Sequence, residues 1–261
     1  MARATYYYHT KRLQEPDENE DIRQSIRRIY ETHKGRYGYR RVTAQLRSDG
    51  ITINHKKVQK LMVEMKLHGK RKKVRYKSYK GEVGKIAPNI IDRDFVAAAP
   101  NQKWTTDVTE VKIKDKKIYL SPILDMFNGE IISYSISYSP NQHMVMTMLD
   151  KAFKKTPILA GLVLHSDQGI HYQHHRYQKA LKDKDIIQSM SRKGNCLDNA
   201  MMENFFGLMK NELLYNNQWE NIEDFKVALK QYIRYYNNER IKLKLKMSPV
   251  QYRTHFQNQV K

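Results

Sequence analysis

The fold is decided by one stretch, residues 103–139, which reads KWTTDVTEVKIKDKKIYLSPILDMFNGEIISYSISYS. Residues 103–114 alternate apolar and polar side chains, as a β-strand does. Two more strands are predicted over 116–127 and 129–139, and Asn128-Gly129 between them is a strong hairpin turn signal. The stretch therefore predicts three consecutive strands at the start of a sheet.

Helices and strands alternate after this stretch. Apolar residues recur at helical intervals in 141–155, where Val145, Met148 and Leu149 share one side. The predicted elements are, in order, a helix at 141–155, a strand at 159–167, a helix at 174–185, a strand at 186–191, a long helix at 198–214 and a final helix at 221–236 before a basic tail. This order predicts an α/β fold with a mixed sheet flanked by helices.

Three short helices are predicted before the sheet, at 18–33, 39–48 and 54–67. The third begins after Asn54, a residue type that often caps helix N-termini. Tight joints between short helices are typical of a helix-turn-helix unit, with 54–67 as the recognition helix. A small helical bundle with a solvated basic face fits the same pattern equally well.

The charge balance points to a polyanionic partner. The 261 residues contain 48 Lys or Arg against 27 Asp or Glu, a net charge of +21, and the pI is about 9.8. Nucleic acid is the simplest partner for such a chain. Residues 66–85 contain nine Lys or Arg with Glu82 as the single acid, which suits a linker that follows a DNA backbone. A merely solvated linker is the alternative.

Composition also excludes several protein classes. A single cysteine, Cys196, rules out an intrachain disulfide framework and a Cys-rich zinc site, and it suits a reducing cytosol. No apolar run reaches the ~18 residues of a membrane helix, and the N-terminus has no apolar segment typical of a signal peptide. We expect four regions: a helical DNA-binding region at 1–67, a basic linker at 68–100, a core with the mixed sheet at 101–215, and a C-terminal helix with a basic tail at 216–261.

Three carboxylates are placed where such a fold would bring them together. Asp107 lies in the middle of the first predicted strand, Asp167 just past the fourth, and Glu203 in the first turns of the long helix. A buried carboxylate needs a cation, and no Lys or Arg closely flanks either aspartate. A metal ion is therefore the natural partner, and carboxylates favour Mg²⁺ or Mn²⁺ over zinc.

Other polar residues near these positions have simpler interpretations. Asp125 follows the second strand and could face the site, and Asp198 is better explained as a helix cap than as a ligand. A zinc cluster is disfavoured because cysteine partners are lacking, although several histidines lie close to Asp167 in sequence: His165, His171, His174 and His175. His165 is expected to support Asp167 from behind.

At these residues the sequence resembles the insertion-sequence transposases with an integrase-like DDE catalytic core, specifically the product of the downstream reading frame, OrfB. The similarity extends over nearly the whole chain. It is carried by YGYRRVTAQLR (37–47), NHKKVQKLM (54–62), APNQKWTTDVTEV (99–111), LDMFNGEIISYSIS (124–137), LHSDQGIHY (164–172), SMSRKGNCLDNAMMENFFGLMKNEL (189–213) and YYNNERIKLKLKMSPVQYR (235–253).

The resemblance implies a ribonuclease-H-like catalytic domain and two-metal phosphoryl transfer. Asp107, Asp167 and Glu203 would be the catalytic, metal-holding set, with two Mg²⁺ or Mn²⁺ ions. The family has a basic residue seven positions after the catalytic Glu, and Lys210 stands there. Lys210 is therefore expected to grip DNA near the reacting phosphate.

The resemblance also implies a function and partners. We expect a DNA transposase that cleaves and joins strands at the ends of an insertion sequence, as a homo-oligomer on DNA in the bacterial cytoplasm, near the nucleoid. A sequence-specific repressor, or a nuclease that cuts without joining, is the alternative; a tyrosine recombinase is disfavoured. In this family an upstream-frame product, OrfA, becomes the fusion partner. Expected DNA contacts besides Lys210 are Arg40, Arg41, Lys56, Lys57, Lys60, Lys70, Arg71, Lys72, Lys73, Arg192 and Lys193.

Overall fold

The computed structural model describes residues 17–69, 85–193 and 195–260. The chain divides into two compact units, residues 1–70 and 71–261. Most of the basic run at 66–85 lies outside the described residues. Among those that are described, no helix is both long and apolar enough to span a membrane.

The first unit contains three short helices, α1 (Glu20–Thr32), α2 (Tyr39–Ser48) and α3 (His55–Glu64). The three predicted helices are therefore confirmed. Asn54 caps α3 as expected, because its side-chain oxygen accepts a hydrogen bond from the Lys56 N–H at 2.9 Å. The apolar stripes of the helices meet in a core formed by Ile26, Ile29, Tyr37, Val42, Leu46, Val58, Leu61 and Met62.

The second unit is built on a six-stranded mixed sheet with helices on both faces. Its elements are β1 (Lys103–Thr106), β2 (Thr109–Ile113), β3 (Lys116–Asp125), β4 (Ile131–Ser137), α4 (Gln142–Lys155), β5 (Val163–Ser166), α5 (Ile170–Gln173), α6 (His175–Lys182), β6 (Ile187–Met190), a 3₁₀ turn (Cys196–Asn199), α7 (Ala200–Met209), a π turn (Lys210–Leu214), α8 (Ile222–Asn238) and α9 (Pro249–Val260). The mixed sheet flanked by helices is thus confirmed.

Strand β3 lies between two neighbours. It pairs antiparallel with β4 on one side and with both β1 and β2 on the other. Beyond β1, strands β5 and β6 add in parallel. The sheet therefore has β4 at one edge and β6 at the other, and β1 and β2 are two halves of one interrupted strand.

The interruption between β1 and β2 corrects the prediction of one strand over 103–114. Thr106 pairs with Ile123, and Thr109 pairs with Leu120, so the register is the same on both sides of the break. Asp107 therefore lies in a break between strands, and not in the middle of a strand as predicted.

The cause of the break is Pro122, the residue that faces Asp107 in this register. The Met126 N–H donates to the Lys103 carbonyl at 2.9 Å, so every second pair along the register, including Asp107 with Pro122, belongs to the hydrogen-bonded class. Proline has no N–H to donate. The ladder is consequently broken at the point where Asp107 leaves the strand.

Each face of the sheet has its own apolar core. Trp104 is fully buried in the core beneath α4 and α6. The opposite core lies between the sheet and α7 and α8, and contains Val111, Ile118, Leu120, Leu124, Met202, Phe205, Phe225 and Leu229. The three layers fix α7, which carries Glu203, against the face of the sheet on which β2 and β3 present this core.

The C-terminal part differs from its prediction in two places. The expected helix at 198–214 is divided into the 3₁₀ turn, α7 and the π turn. The expected basic tail contains a further helix, α9, from which Arg253 forms ion pairs with Asp125 and Glu130. These buried ion pairs dock the last helix of the described chain against the sheet of the second unit.

Candidate active site

Asp107 and Asp167 are neighbours because their strands are. Strands β1 and β5 run parallel with Lys103 beside Val163 and Thr105 beside His165, an offset of 60 residues. The two aspartates are also 60 residues apart, so each lies two positions beyond the paired residues Thr105 and His165. Both carboxylates therefore lie at the carboxyl ends of two adjacent parallel strands.

Gly169 shapes the turn that carries Asp167. Its N–H donates to the Asp167 Oδ1 at 2.9 Å. A Cβ at position 169 would also lie 2.9 Å from that oxygen, too close for an ordinary contact. The glycine therefore lets the turn close directly over the carboxylate. Asp107 has a comparable local bond, from the Val108 N–H to its Oδ1 at 2.7 Å.

Glu203 is placed by a side-chain bridge at the start of its helix. Asn199 precedes α7 and is buried, with 4% of its surface exposed. Its Oδ1 accepts a hydrogen bond from the Thr105 hydroxyl at 2.5 Å, and its Nδ2 donates to the Thr106 carbonyl at 3.3 Å. One amide thus joins β1, which ends just before Asp107, to the helix that presents Glu203 one turn later.

Lys210 lies beyond Glu203, where α7 passes into the π turn. Burial lowers the pKa of this half-buried lysine, while the nearby carboxylates of Asp107 and Glu110 raise it. The charge of Lys210 therefore acts on Asp107, and its role toward DNA stays a prediction.

Asp107 is the acid that the other two affect. Burial raises the pKa of Asp107 well above its usual range, and the negative charges of Asp167 and then Glu203 raise it further. Burial is also the main cause of the raised pKa of Asp167 and of Glu203. Carboxylates with raised pKa values, gathered in one place, are characteristic of functional sites.

Two neighbours of the aspartates come from the segment just after Asp167. His171 is half-buried beside Asp167, and burial lowers its pKa while Asp167 raises it. Tyr172 is fully buried, and burial, followed by the charges of Asp107 and Asp167, raises the pKa of its hydroxyl. Sequence reasoning missed Tyr172, although its place five residues after Asp167, in the motif LHSDQGIHY, is a usable signal.

Asp198 is not the helix cap that was predicted. Its fully buried carboxylate accepts hydrogen bonds from Arg192 Nε at 2.9 Å, from Arg93 Nε at 3.0 Å and from Asn89 Nδ2 at 3.2 Å. The Arg192 guanidinium holds the pKa of Asp198 well below its usual range. Asp198 therefore anchors the turn that leads into α7.

Asp125 and His165 also differ from expectation. Asp125 does not face the site: it is buried and binds Arg253 at 2.6 Å and the Asn101 N–H at 2.9 Å. His165 does not support Asp167. Its Nδ1 pairs with the Ser189 hydroxyl at 2.9 Å, and burial lowers its pKa to about 4. Both residues are fully buried inside the unit. Their partners come from other segments of the chain.

The candidate set suits a hard divalent cation. Asp107, Asp167 and Glu203 supply carboxylate oxygens, the donors that Mg²⁺ and Mn²⁺ prefer. Among the described residues, no three His, Cys, Asp or Glu side chains already converge as the ligands of one ion. The effect of the Asp167 and Glu203 charges on the pKa of Asp107 is the observation that favours an ion there.

The predicted DNA contacts fall in several places. Exposed on α3 are Lys56, Lys57 and Lys60; Arg40 is exposed at the start of α2, and Arg41 lies over the Tyr37 ring. Arg192 is half-exposed and pairs with Asp198 and Asp92, and Lys193 follows it. The four residues Lys70, Arg71, Lys72 and Lys73 lie outside the described residues.

Known protein families match both units. Residues 16–75 match the HTH-like domain, and residues 97–196 and 203–256 match two families described as Integrase core domain. By structure, the chain is similar to a chain of a simian T-cell lymphotropic virus intasome, with a TM-score of 0.52 and 18% identity over 88% of this chain and 74% of that one. These matches confirm the helix-turn-helix and ribonuclease-H-like fold class.

Curated relatives cover almost the whole chain. InsK, named as a transposase of insertion sequence element IS150 in Escherichia coli (strain K12), is 53% identical over 97% of this chain and 90% of its own length. The transposase of insertion sequence element IS904 in Lactococcus lactis is 36% identical over 89% of this chain and 93% of its own length. The chain therefore belongs to the insertion-sequence transposases with an integrase core.

Proposed function

We propose that this transposase cuts and joins DNA strands with Asp107, Asp167 and Glu203 as its metal-holding carboxylates. The observation that carries the proposal is that Asp107 and Asp167 follow the ends of two adjacent parallel strands. The negative charges of Asp167 and Glu203 both raise the pKa of Asp107. The integrase core family is metal-dependent, and we propose two Mg²⁺ or Mn²⁺ ions for this chain. Held by these carboxylates, such ions would supply activation of a water or a 3′-hydroxyl and stabilisation of the leaving 3′-oxygen.

The protein's own groups prepare the site for that chemistry. The break in the strand at Pro122 frees Asp107 from the sheet ladder, and Gly169 fixes one oxygen of Asp167. Asn199 holds the start of α7, so the position of Glu203 is set relative to Asp107. Lys210 supplies a cation beside these acids that can position the reacting phosphate. No covalent bond between protein and DNA is needed.

The remaining DNA contacts extend this proposal to the rest of the chain. We propose that α3, with exposed Lys56, Lys57 and Lys60, enters a groove of the element-end DNA. Arg40, Arg41, Lys70–Lys73, Arg192 and Lys193 are proposed to contact phosphates. The protein would work as an oligomer on DNA in the bacterial cytoplasm, near the nucleoid.

We further propose that end-specific transposition needs the upstream-frame product OrfA as a fusion partner. The helices described in residues 17–69 have 13, 10 and 10 residues, too short for the several heptads of an oligomerising coiled coil. Joining two ends needs a multimer, which gains effective concentration from tethering. Full, end-specific transposition by residues 1–261 alone would refute this part.

The test of the proposed chemistry is a product map. The full chain, alone and fused to OrfA, is incubated with end-labelled element DNA and a target duplex in Mg²⁺ or in EDTA. We expect strand cuts at the element end and joined products, both lost in EDTA. Cuts without joined products would identify a nuclease, and binding without cuts would identify a repressor.

A further inference from the structure

A basic groove lies along the open edge of the sheet, away from the carboxylates. Strand β4 forms its floor, α4 borders one side and α8 the other, and its volume is about 800 Å³. Tyr134 of β4 faces Pro122, which in turn faces Asp107, so two strand spacings, about 10 Å, separate this edge from the catalytic strand. None of the three catalytic carboxylates lines it.

Cations recur at helical intervals on both walls of this groove. Helix α8 presents Lys226, Lys230 and Arg234 at every fourth position, and α4 presents Lys151 and Lys155 in the same spacing. No Asp or Glu is among the described residues that line the groove. Like charges four residues apart destabilise a helix. An arrangement that gathers them on two facing helices suits an anionic occupant.

Some of these cations have partners and others do not. Lys155 pairs with Glu130 at 2.9 Å, and Lys226 with Glu223 at 3.5 Å, beside the groove. The Lys151 Nζ donates to the Tyr134 carbonyl at 3.2 Å. Within the described parts of the chain, the side chains of Lys230 and Arg234 form no ion pair or hydrogen bond. These two are therefore available to an anion from outside.

The floor of the groove is poorly suited to an added peptide strand. An extra strand would need the free backbone groups of β4. The Tyr134 carbonyl is already bound by Lys151, and the Ile131 N–H and carbonyl are both bound by the Asn237 side chain at 2.9 Å. A phosphate backbone needs cations and not these strand groups.

A second copy of the chain is also a poor occupant. A two-fold contact through this face would place the Lys230 and Arg234 side chains of one copy against the same cations of the other. Such juxtaposed like charges oppose association. A DNA strand brings the complementary charge, and DNA is the substrate in the proposed function on which this step rests.

We propose that the groove between α4 and α8 binds the phosphate backbone of DNA as a contact separate from the catalytic carboxylates. Lys230 and Arg234 neutralise phosphates directly, and Lys151 and Lys155 line the facing wall. The groove holds DNA at the β4 edge of the unit while the carboxylates act on a phosphate two strands away.

The test compares two charge-matched double variants of the full chain. Both are made in an Asp107→Asn background, so that no cleavage disturbs the binding measurement. Lys230→Ala with Arg234→Ala removes the groove cations, and Lys179→Ala with Lys182→Ala removes two exposed cations from α6. Affinity for a labelled 30-base-pair duplex is measured by fluorescence anisotropy across a range of salt concentrations.

We expect the groove variant to bind about ten-fold more weakly at moderate salt, with a log–log salt slope reduced by about 1 to 2, since each lost phosphate contact contributes about 0.9. The α6 variant should keep the parental slope. An unchanged slope in the groove variant, or equal changes in both variants, would overturn the proposal.

Sedimentation velocity on the same proteins without DNA gives a second decision. Weaker self-association of the groove variant, with an unchanged salt slope, would show a subunit interface and overturn the DNA assignment. Failure of the proposed chemistry is distinguishable, because wild-type protein would then leave DNA uncut in Mg²⁺ while the slope difference between the two variants persisted.

Discussion

Two groups of carboxylates in the second unit differ in their partners. In the first group each acid is held by arginine: Asp125 by Arg253, Asp198 by Arg192 and Arg93, and Glu212 by Arg240. In the second group, Asp107, Asp167 and Glu203, the nearest influences on the pKa of Asp107 are burial and the other acids. Lys210 is the cation that opposes them.

The two groups show that carboxylates in one fold differ in whether the protein itself supplies their counter-charge. An arginine partner lowers the pKa of Asp198, so that carboxylate is satisfied within the protein. Burial, followed by the charges of Asp167 and Glu203, raises the pKa of Asp107, so a bound cation would stabilise its charged form. Removing a carboxylate charge from the second group should therefore not destabilise the folded protein. Removing an arginine partner from the first group should destabilise it.

The largest expected effect is on catalysis. Asp107→Asn, Asp167→Asn and Glu203→Gln should each reduce DNA cleavage in Mg²⁺ by roughly 10³-fold or more, because each keeps the side-chain shape and removes a metal-binding charge. DNA affinity should stay largely intact, and the melting temperature without metal should not fall, since repulsion is relieved. Cleavage assays and thermal melts measure the two effects; near-wild-type cutting by any one variant would remove that residue from the site.

The arginine-held group should respond in the opposite way. Arg240 is 2% exposed and binds Glu212 through Nε at 2.8 Å and Nη2 at 2.5 Å. Arg240→Met leaves the glutamate charge buried without a partner, and should cost about 3–5 kcal/mol in denaturant unfolding. Adding Glu212→Leu should recover much of that loss. A single variant as stable as wild type would show that the pair is not the structural contact described here.

Loss of the hydrogen bonds made by Asn199 should have a smaller effect on cleavage than loss of a carboxylate. Asn199→Ala removes the link between the Thr106 carbonyl and the start of α7, and should lower cleavage by about 10- to 100-fold, as loss of outer supports of metal ligands does. If Asn199 positions Glu203, the Asn199→Ala variant also needs a higher Mg²⁺ concentration to reach its half-maximal cleavage rate. A fall in stability with an unchanged Mg²⁺ requirement would indicate a purely structural bond. Asn199→Asp keeps the oxygen that accepts from Thr105 and is the matched control.

The smallest effect concerns a cation crowded by cations, the reverse of the carboxylate group. Burial, aided by Arg240 and Lys244, lowers the pKa of Lys242 to about 8 from an ordinary 10.5. The unfolded chain then binds more protons between these values, so this residue makes stability rise with pH above 8. Lys242→Met should be about 1–2 kcal/mol more stable at pH 7 after allowance for solvent screening. The free energy of unfolding is measured with denaturant at pH 7 and pH 9.5 for both proteins. If it rose with pH in Lys242→Met as much as in wild type, the prediction would be contradicted.

Local periodicity was sufficient to predict several of the helices. The repeat of apolar residues predicted α1, α2 and α4 to within two residues of their observed ends, since each helix buries one stripe. The 60-residue offset between Asp107 and Asp167 equals the register offset of β1 and β5. That equality is a property of strand pairing, and spacing alone could not distinguish it from chance.

Non-local contacts account for what sequence reasoning missed. Pro122 lies within a predicted strand and was a usable signal for the break opposite Asp107, but the register had to be known first. Asp125 pairs with Arg253, 128 residues away, and Asp198 pairs with Arg93, 105 residues away. Their structural roles could not be read from neighbouring residues, whose types allowed a ligand or a helix cap.

Mn²⁺ binding directly tests whether the carboxylates that lack an arginine partner, Asp107, Asp167 and Glu203, hold the divalent ions. Electron paramagnetic resonance of Mn²⁺ is recorded during titration of the full chain with element-end DNA, for wild type, Asp107→Asn and Asp198→Asn. We predict tight Mn²⁺ binding to wild type, loss of it in Asp107→Asn, and retention in the folded fraction of Asp198→Asn. Equal Mn²⁺ binding by wild type and Asp107→Asn would contradict the claim.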